Sequence, residues 1–151
     1  MSQNMADLLD GLELFSGFSY AELQTIAHFF TYQELRQGEA VFHEGDPGSF
    51  MLILVEGRLS IFKGGEQGQH LLSCEGRGRV VGEMALLDHE RRSASCVAES
   101  DCLFVTVNHD GLDRLALEHP GLAYHFMLTL ARLLSKRLRR TSGMLVEFLG
   151  T

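Results

Sequence analysis

The sequence predicts a mainly β domain with flanking helices, on the strength of three observations. Between Gly38 and Gly82, glycines recur every few residues and separate short runs rich in β-branched and aromatic side chains. The segments before and after that region carry apolar residues at helical spacing instead. The chain has 151 residues, of which 45% are hydrophobic and 22% charged, as expected for one globular domain.

The first segment, residues 1–37, is predicted to be helical. Ser19 followed by Glu22 has the pattern of a capping box, in which each side chain bonds a free amide of the helix start. An earlier short turn runs from Asp7 to Phe15. The apolar stripes of these two elements are Leu8, Leu9, Leu12 and Phe15, then Leu23, Ile26, Ala27 and Phe30.

The middle segment, residues 38–107, is predicted to hold seven or eight short strands, which favours a small sandwich or roll. The chain reverses at the turn Gly45–Gly48, at Gly57 and at Gly64–Gly65. The strands are expected near Ala40–His43, Phe50–Glu56, Arg58–Phe62, His70–Cys74, Arg79–Val81, Ser93–Ala98 and Cys102–Val107.

The last segment, residues 108–151, is predicted to form two helices. Asn108 is a good N-cap for a helix ending near Glu118, and Pro120 can end that helix and begin the next. The final helix, from Gly121 towards Leu149, carries a row of residues spaced alternately by three and four. The members of this row, called the seam below, are Tyr124, Met127, Ala131, Leu134, Leu138, Thr141, Leu145 and Phe148.

The seam, which occupies residues 124–148, is longer than one small roll would cover. We therefore expect it to pair with the same helix of a second chain, giving a homodimer. The alternative is that the row packs on its own roll or on a further domain.

Charge and cysteine content limit the environment and the partners. A net charge of −7 argues against general nucleic-acid binding, and no DNA-reading element is evident. The three cysteines lack metal-ligand spacing, and neither a signal peptide nor a long apolar run is evident in the sequence. These features favour the reducing cytoplasm, away from membranes. One basic run is either a solvated helix face or a docking patch for an acidic protein effector. It consists of Arg132, Lys136, Arg137, Arg139 and Arg140.

The segment from Gly82 to Ser95, GEMALLDHERRSAS, carries the chemistry. It is too long for a hairpin turn, and a short helical turn after Gly82 would present free amides that attract anions. Arg92 follows at the start of the next predicted strand, and its planar guanidinium suits a phosphate. Glu83 would oppose a phosphate but could accept hydrogen bonds from a neighbouring sugar hydroxyl. Together the two side chains predict a binding site for a ribose phosphate.

This segment resembles the phosphate-binding cassette of cyclic-nucleotide-binding domains, and the similarity extends from about Leu8 to Thr141. The resemblance implies an eight-stranded, jelly-roll-like β-roll with an N-terminal helix and two C-terminal helices, the last one long. It also implies that Glu83 binds the ribose 2′-hydroxyl and Arg92 the cyclic phosphate. The other implied phosphate and ribose contacts are Gly82, Ala85, Ser93 and Ala94.

The final helix closes over the purine in this family, which makes four of its residues candidate base contacts: Arg137, Leu138, Thr141 and Ser142. Ser93 favours cAMP as the ligand, although cGMP remains open. Two positions depart from the family pattern. Arg91 stands where proline is common, and Gly78-Arg79 replaces a glycine-acidic step before the cassette.

The resemblance implies a sensor that transmits ligand occupancy through its C-terminal helices and is not an enzyme, with no cofactor or metal. An alternative is a divergent roll that has lost the ligand and serves as a dimerisation scaffold. A cupin-like metal enzyme is disfavoured because the seven histidines are scattered without HxH spacing. An iron–sulphur sensor would need cysteines near the N-terminus, and none precedes Cys74.

Overall fold

The computed structural model describes residues 4–66 and 68–150; the side chains of Ala85 and residues 144–150 lie outside the description. The fold contains eight antiparallel strands and five α-helices in the part of the chain described. The strands are β1 (Thr31–Leu35), β2 (Ala40–Phe42), β3 (Phe50–Glu56), β4 (Leu59–Gly65), β5 (Gly68–Glu75), β6 (Val80–Val81), β7 (Ser95–Ala98) and β8 (Cys102–Asn108). The helices are α1 (Met5–Asp10), α2 (Tyr20–Ile26), α3 (Glu83–Asp88), α4 (His109–Glu118) and α5 (Pro120–Gly150).

The strands form two four-stranded sheets, with the orders β1-β8-β3-β6 and β2-β7-β4-β5. The sheets face each other across an apolar interior that includes Phe42, Leu52, Cys96 and Phe104. This arrangement confirms the eight-stranded roll with flanking helices.

The strand β3 is buried on both faces, which explains its unbroken apolar sequence. Because side chains alternate along a strand, Leu52 and Leu54 point into the roll. Met51 and Ile53 point outwards and pack with the N-terminal and C-terminal helices in a second core. That second core fixes α5 against the roll.

The prediction of a helical segment over residues 1–37 is wrong at its end. Residues Thr31–Leu35 form β1, which pairs antiparallel with β8 and begins the roll earlier than residue 38. β1 lies at a sheet edge and four of its five residues are exposed, so it shows no buried alternation that could reveal a strand. The capping box at Ser19 and Glu22 is present as predicted.

The helix α5 turns one face to its own roll and leaves part of the seam exposed. Ala123, Phe126 and Leu130 are buried in the core shared with the N-terminal helices. Of the seam, Met127 and Leu134 pack against that same core. The exposed members are Tyr124, Ala131, Leu138 and Thr141. Leu145 and Phe148 lie outside the described side chains, so the seam divides between the chain's own roll and solvent.

No helix in the described ranges is long and apolar enough to cross a membrane. Within the same ranges, no group of three or more His, Cys, Asp or Glu side chains is arranged to hold a metal ion. All three cysteines are free.

Candidate functional site

The backbone of Arg92 is fixed by the turn that precedes β3. The Arg92 amide donates to the Asp46 carbonyl at 2.8 Å, and the Gly45 amide donates to the Arg92 carbonyl at 2.8 Å. Arg91, the departure from the family's proline, also belongs to this contact. It forms a bridge with Pro47, and its Nη1 donates to the Gly45 carbonyl at 2.9 Å. The altered residue therefore fastens the cassette loop to the turn.

The Arg92 side chain is buried, with only 3% of the residue exposed. Its guanidinium carbon lies 4.1 Å from the centre of the Phe42 ring and 4.8 Å from that of Phe50, so two aromatic rings hold the cation. Nη1 donates to the Gly82 carbonyl at 3.1 Å and Nη2 donates to the Phe50 carbonyl. Burial lowers the pKa of the guanidinium, an effect that Asp46 and Glu83 oppose.

One hydrogen-bond donor of Arg92 has no acceptor: its buried Nε has no partner among the described side chains and backbone. Buried polar atoms are nearly always paired, so an unpaired one calls for a partner such as a water, an ion or a ligand. The prediction that Arg92 leans back over the short helical turn agrees with its bond to Gly82. No Arg92–Glu83 ion pair occurs among the described salt bridges.

Gly82 sits at the junction of β6 and α3 in a left-handed conformation, with φ of 82°. A Cβ atom at this position would collide with Nη1 of Arg92. Glycine is therefore needed twice here, for the backbone angle and for the close approach of the guanidinium. α3 begins at the next residue, Glu83. The backbone amides of its first turn have no acceptor within the helix and are therefore free to bind a ligand.

Glu83 is 8% exposed and pairs with α5 rather than with the cassette. Its Oε1 accepts from Nη1 of Arg137 at 3.1 Å, and Nη2 of Arg137 donates to the Val80 carbonyl at 3.2 Å. The Nε of Arg137 is buried and unpaired, like that of Arg92. The predicted sugar-binding carboxylate is thus linked directly to the long C-terminal helix.

These groups line a cavity of about 330 Å³ between the roll and α5. Ser93 is exposed at the rim of the cavity, and the Ser93 carbonyl accepts a hydrogen bond from Nζ of Lys63 at 2.9 Å. Ala94, the next residue, is buried. Ala85 lies in α3, its side chain outside the description. The cavity is lined by Phe42, Ile61, Ser73, Glu75, Val80, Val81, Gly82, Glu83, Met84, Asp88, Glu90, Arg91, Arg92, Ser93, Ala94 and Arg137.

Only one of the four candidate base contacts lines the cavity, namely Arg137. Leu138 is 68% exposed, and Thr141 turns its Oγ1 back to the Arg137 carbonyl at 3.0 Å. Ser142 is exposed as well. Leu138 and Ser142, one and five positions after Arg137, point away from its face, whereas Thr141 at i+4 shares that face one helical turn further along α5.

Sequence reasoning missed the wall opposite the cassette. Ile61 on β4 and Ser73 and Glu75 on β5 line the cavity. Ser73 is paired with Ile61 in the sheet, and Glu75 stands two residues further on the same strand, so all three face the same side. The alternation of side chains along the strand segment HLLSCE could have indicated that Ser73 and Glu75 face the cavity. The strand is largely exposed, however, so it carries no alternating apolar residues that would show which face is buried.

A family model and several known proteins are similar to this chain. The family model of the cyclic nucleotide-binding domain matches residues 32–119, more than half of the chain. The chain belongs to the cyclic nucleotide-binding domain family. The match covers the whole cassette and ends before α5, so it does not address the contact between Glu83 and Arg137.

Two curated relatives illustrate the regulatory setting of such domains. The chain is 32% identical over 132 residues to the cyclic AMP receptor protein of Thermus thermophilus, covering 87% of this chain and 59% of the relative. It is 33% identical over 109 residues to a cAMP-dependent protein kinase regulatory subunit of Hypocrea atroviridis, covering 72% and 23% respectively. The chain thus spans less than two thirds of the length of either relative.

A solved cyclic nucleotide-binding domain from Methylobacillus flagellatus has the same fold, with a TM-score of 0.82 and 26% identity. The alignment covers 95% of this chain and 81% of that structure. The agreement confirms the β-roll assignment.

Proposed function

We propose that this domain is a cAMP sensor in which Arg92 binds the cyclic phosphate and Glu83 the ribose 2′-hydroxyl. The observation that carries the proposal is the buried Arg92 guanidinium in the cavity wall, whose Nε has no acceptor among the described residues. An exocyclic phosphate oxygen would satisfy that donor and neutralise the buried charge. Relatives named as cAMP-dependent proteins support the choice of nucleotide.

The contact between Glu83 and Arg137 supports a route for the signal. Arg137 reaches from α5 into the cavity wall and bonds both the Glu83 carboxylate and the Val80 carbonyl. A ribose hydroxyl that donates to Glu83 changes the geometry available to Arg137 and thereby favours one position of α5. Such a shift requires cAMP to bind one position of the helix more tightly than the other.

We also place this sensor in a homodimer in the cytoplasm, acting through a protein effector and without catalysis of its own. The dimer is supported by Tyr124, Ala131 and Leu138, which are exposed and lie seven residues apart, and so on one side of α5. Three free cysteines, two of them buried, suit a reducing compartment.

The test of the ligand site is a matched pair of variants, Arg92→Lys and Arg91→Lys, titrated with cAMP and cGMP. Both arginines line the cavity, but only Arg92 is buried with an unpaired donor. Lysine keeps the charge and loses the planar fork. A hydrogen bond to a charged group is worth about 1.5–3 kcal/mol, so loss of the bidentate contact in Arg92→Lys should weaken cAMP binding at least about ten-fold.

Arg91→Lys should leave cAMP affinity within about three-fold, because Arg91 only fastens the loop to Gly45. Circular dichroism and thermal unfolding of each variant establish that both are folded. Equal losses in the two variants would contradict the assigned role of Arg92. An absence of cAMP and cGMP binding in folded, ligand-free wild type would favour the scaffold alternative instead.

A further inference from the structure

A second cavity, of about 230 Å³, lies where the N-terminal segment, the turn between β5 and β6, and α5 meet. Three arginines line this cavity: Arg77 and Arg79 come from the turn, and Arg137 comes from α5. Arg137 also lines the cavity described above, so the two cavities share one side chain. Among the described lining residues of the second cavity, Glu13 is the only one with a carboxylate.

The guanidinium of Arg77 is fixed by backbone carbonyls alone. Nη1 donates to the Val55 carbonyl at 2.9 Å and Nη2 donates to the Gly11 carbonyl at 3.4 Å. A Cβ atom at Gly11 would lie 2.8 Å from Nη2, so glycine makes room for this approach. No salt bridge within the described part of the chain includes Arg77. Its positive charge is therefore held at the cavity without a carboxylate partner.

The other two guanidiniums are held by carboxylates that do not line the second cavity. Nε of Arg79 donates to Oε2 of Glu75 at 2.7 Å, and Nη1 of Arg137 donates to Oε1 of Glu83 at 3.1 Å. The buried Nε of Arg137 has no acceptor in the described ranges. All three guanidiniums thus have fixed positions before any ligand arrives, and Arg137 keeps an unused donor.

The local sequence explains why this turn is positively charged. Gly78 reverses the chain with φ of 85° and stands between Arg77 and Arg79, both of which line the cavity. Arg79 occupies the position where the sequence departs from the family's glycine-acidic step. An acidic side chain there would repel an anion, whereas arginine attracts one.

Guanidinium groups bind phosphate oxygens through paired N–H donors and keep their charge at any ordinary pH. Three such groups around one cavity, against the single lining carboxylate of Glu13, favour an anion over a cation. We propose that the second cavity binds a phosphate group, either as the free ion or as a small monoester. This site is distinct from the proposed site for a cyclic nucleotide, and its occupation does not require one.

The test is calorimetric titration of inorganic phosphate and of glycerol phosphate at constant ionic strength, because salt screens such contacts. Arg77→Gln should weaken binding of the phosphate group at least about ten-fold, the usual value of hydrogen bonds to a charged group. Arg58→Gln is the matched control, since Arg58 is also an arginine in a turn of the roll, with 62% of its side chain exposed. It should leave the affinity within about two-fold.

Glu13→Gln tests the same cavity in the opposite direction and changes only an exposed residue. Removal of this negative charge should strengthen binding by about two- to five-fold. The tighter of the two ligands identifies the source of the phosphate group as the free ion or an ester.

Two results would overturn the proposal. One is the absence of phosphate binding in folded wild type and in Glu13→Gln. The other is binding that is lost in Arg92→Lys and kept in Arg77→Gln, because it would assign the phosphate to the first cavity. Neither result depends on whether the protein binds cAMP.

Discussion

The close approach of Arg92 to Gly82 provides a sharp test, because the chain contains a second glycine in nearly the same conformation. Gly82 has φ of 82° and Gly78 has φ of 85°. A Cβ at Gly82 would meet Nη1 of Arg92, whereas a Cβ at Gly78 meets no atom of the described structure within 4 Å. Alanine at each position therefore separates the backbone effect from the collision with Arg92.

Both substitutions should destabilise the fold, but by different amounts. A left-handed conformation costs a non-glycine residue about 1–2 kcal/mol, and this should be the whole effect of Gly78→Ala. Gly82→Ala should also displace the guanidinium from the Gly82 and Phe50 carbonyls and leave polar groups unsatisfied, at about 1–3 kcal/mol more. We expect the free energy of unfolding to fall by about 2–5 kcal/mol in Gly82→Ala.

The assay is urea denaturation followed by circular dichroism, with calorimetric titration of cAMP below the unfolding transition. Gly82→Ala should weaken cAMP binding at least about ten-fold because Arg92 no longer holds its position. Gly78→Ala should bind cAMP like wild type. Equal destabilisation and equal affinity in the two variants would refute the argument that Gly82 is needed for the approach of Arg92.

Two further predictions concern α5 and the roll interior. Leu138→Glu should shift the protein from dimer to monomer in sedimentation velocity, while Leu117→Glu on α4, an 83% exposed control, should not. A wild-type monomer at micromolar concentration would contradict the dimer. Burial raises the pKa of the Cys96 thiol to about 12, so its reactive thiolate should be nearly absent at pH 8. Iodoacetamide should then modify exposed Cys74 but not Cys96 in folded protein, as read by mass spectrometry of peptides; labelling of both at similar rates would refute it.

The cassette part of the candidate site was accessible from the sequence because it is local. Gly82, Glu83 and Arg92 lie within eleven consecutive residues, and the structure brings all three to one cavity. The strand β3 was equally accessible, since burial on both faces leaves a continuous apolar run. In both cases the information lies in neighbouring residues.

Features that depend on tertiary contacts were less accessible. β1 is an exposed edge strand whose conformation is set by pairing with β8, which its polar sequence does not reveal. The wall opposite the cassette depends on which face of β5 meets the cavity, and the position of Arg137 at the cavity depends on how α5 packs on the roll. The ring contacts of Arg92 join residues that are far apart in the chain.

The most direct test of the account is calorimetric titration of cAMP into folded wild-type protein freed of carried-over nucleotide. We expect one cAMP to bind each chain, since the proposed phosphate and ribose contacts, Arg92 and Glu83, line a single cavity of about 330 Å³. The absence of any binding heat at several temperatures, with protein shown to be folded, would contradict the central claim that this roll is a cyclic nucleotide sensor.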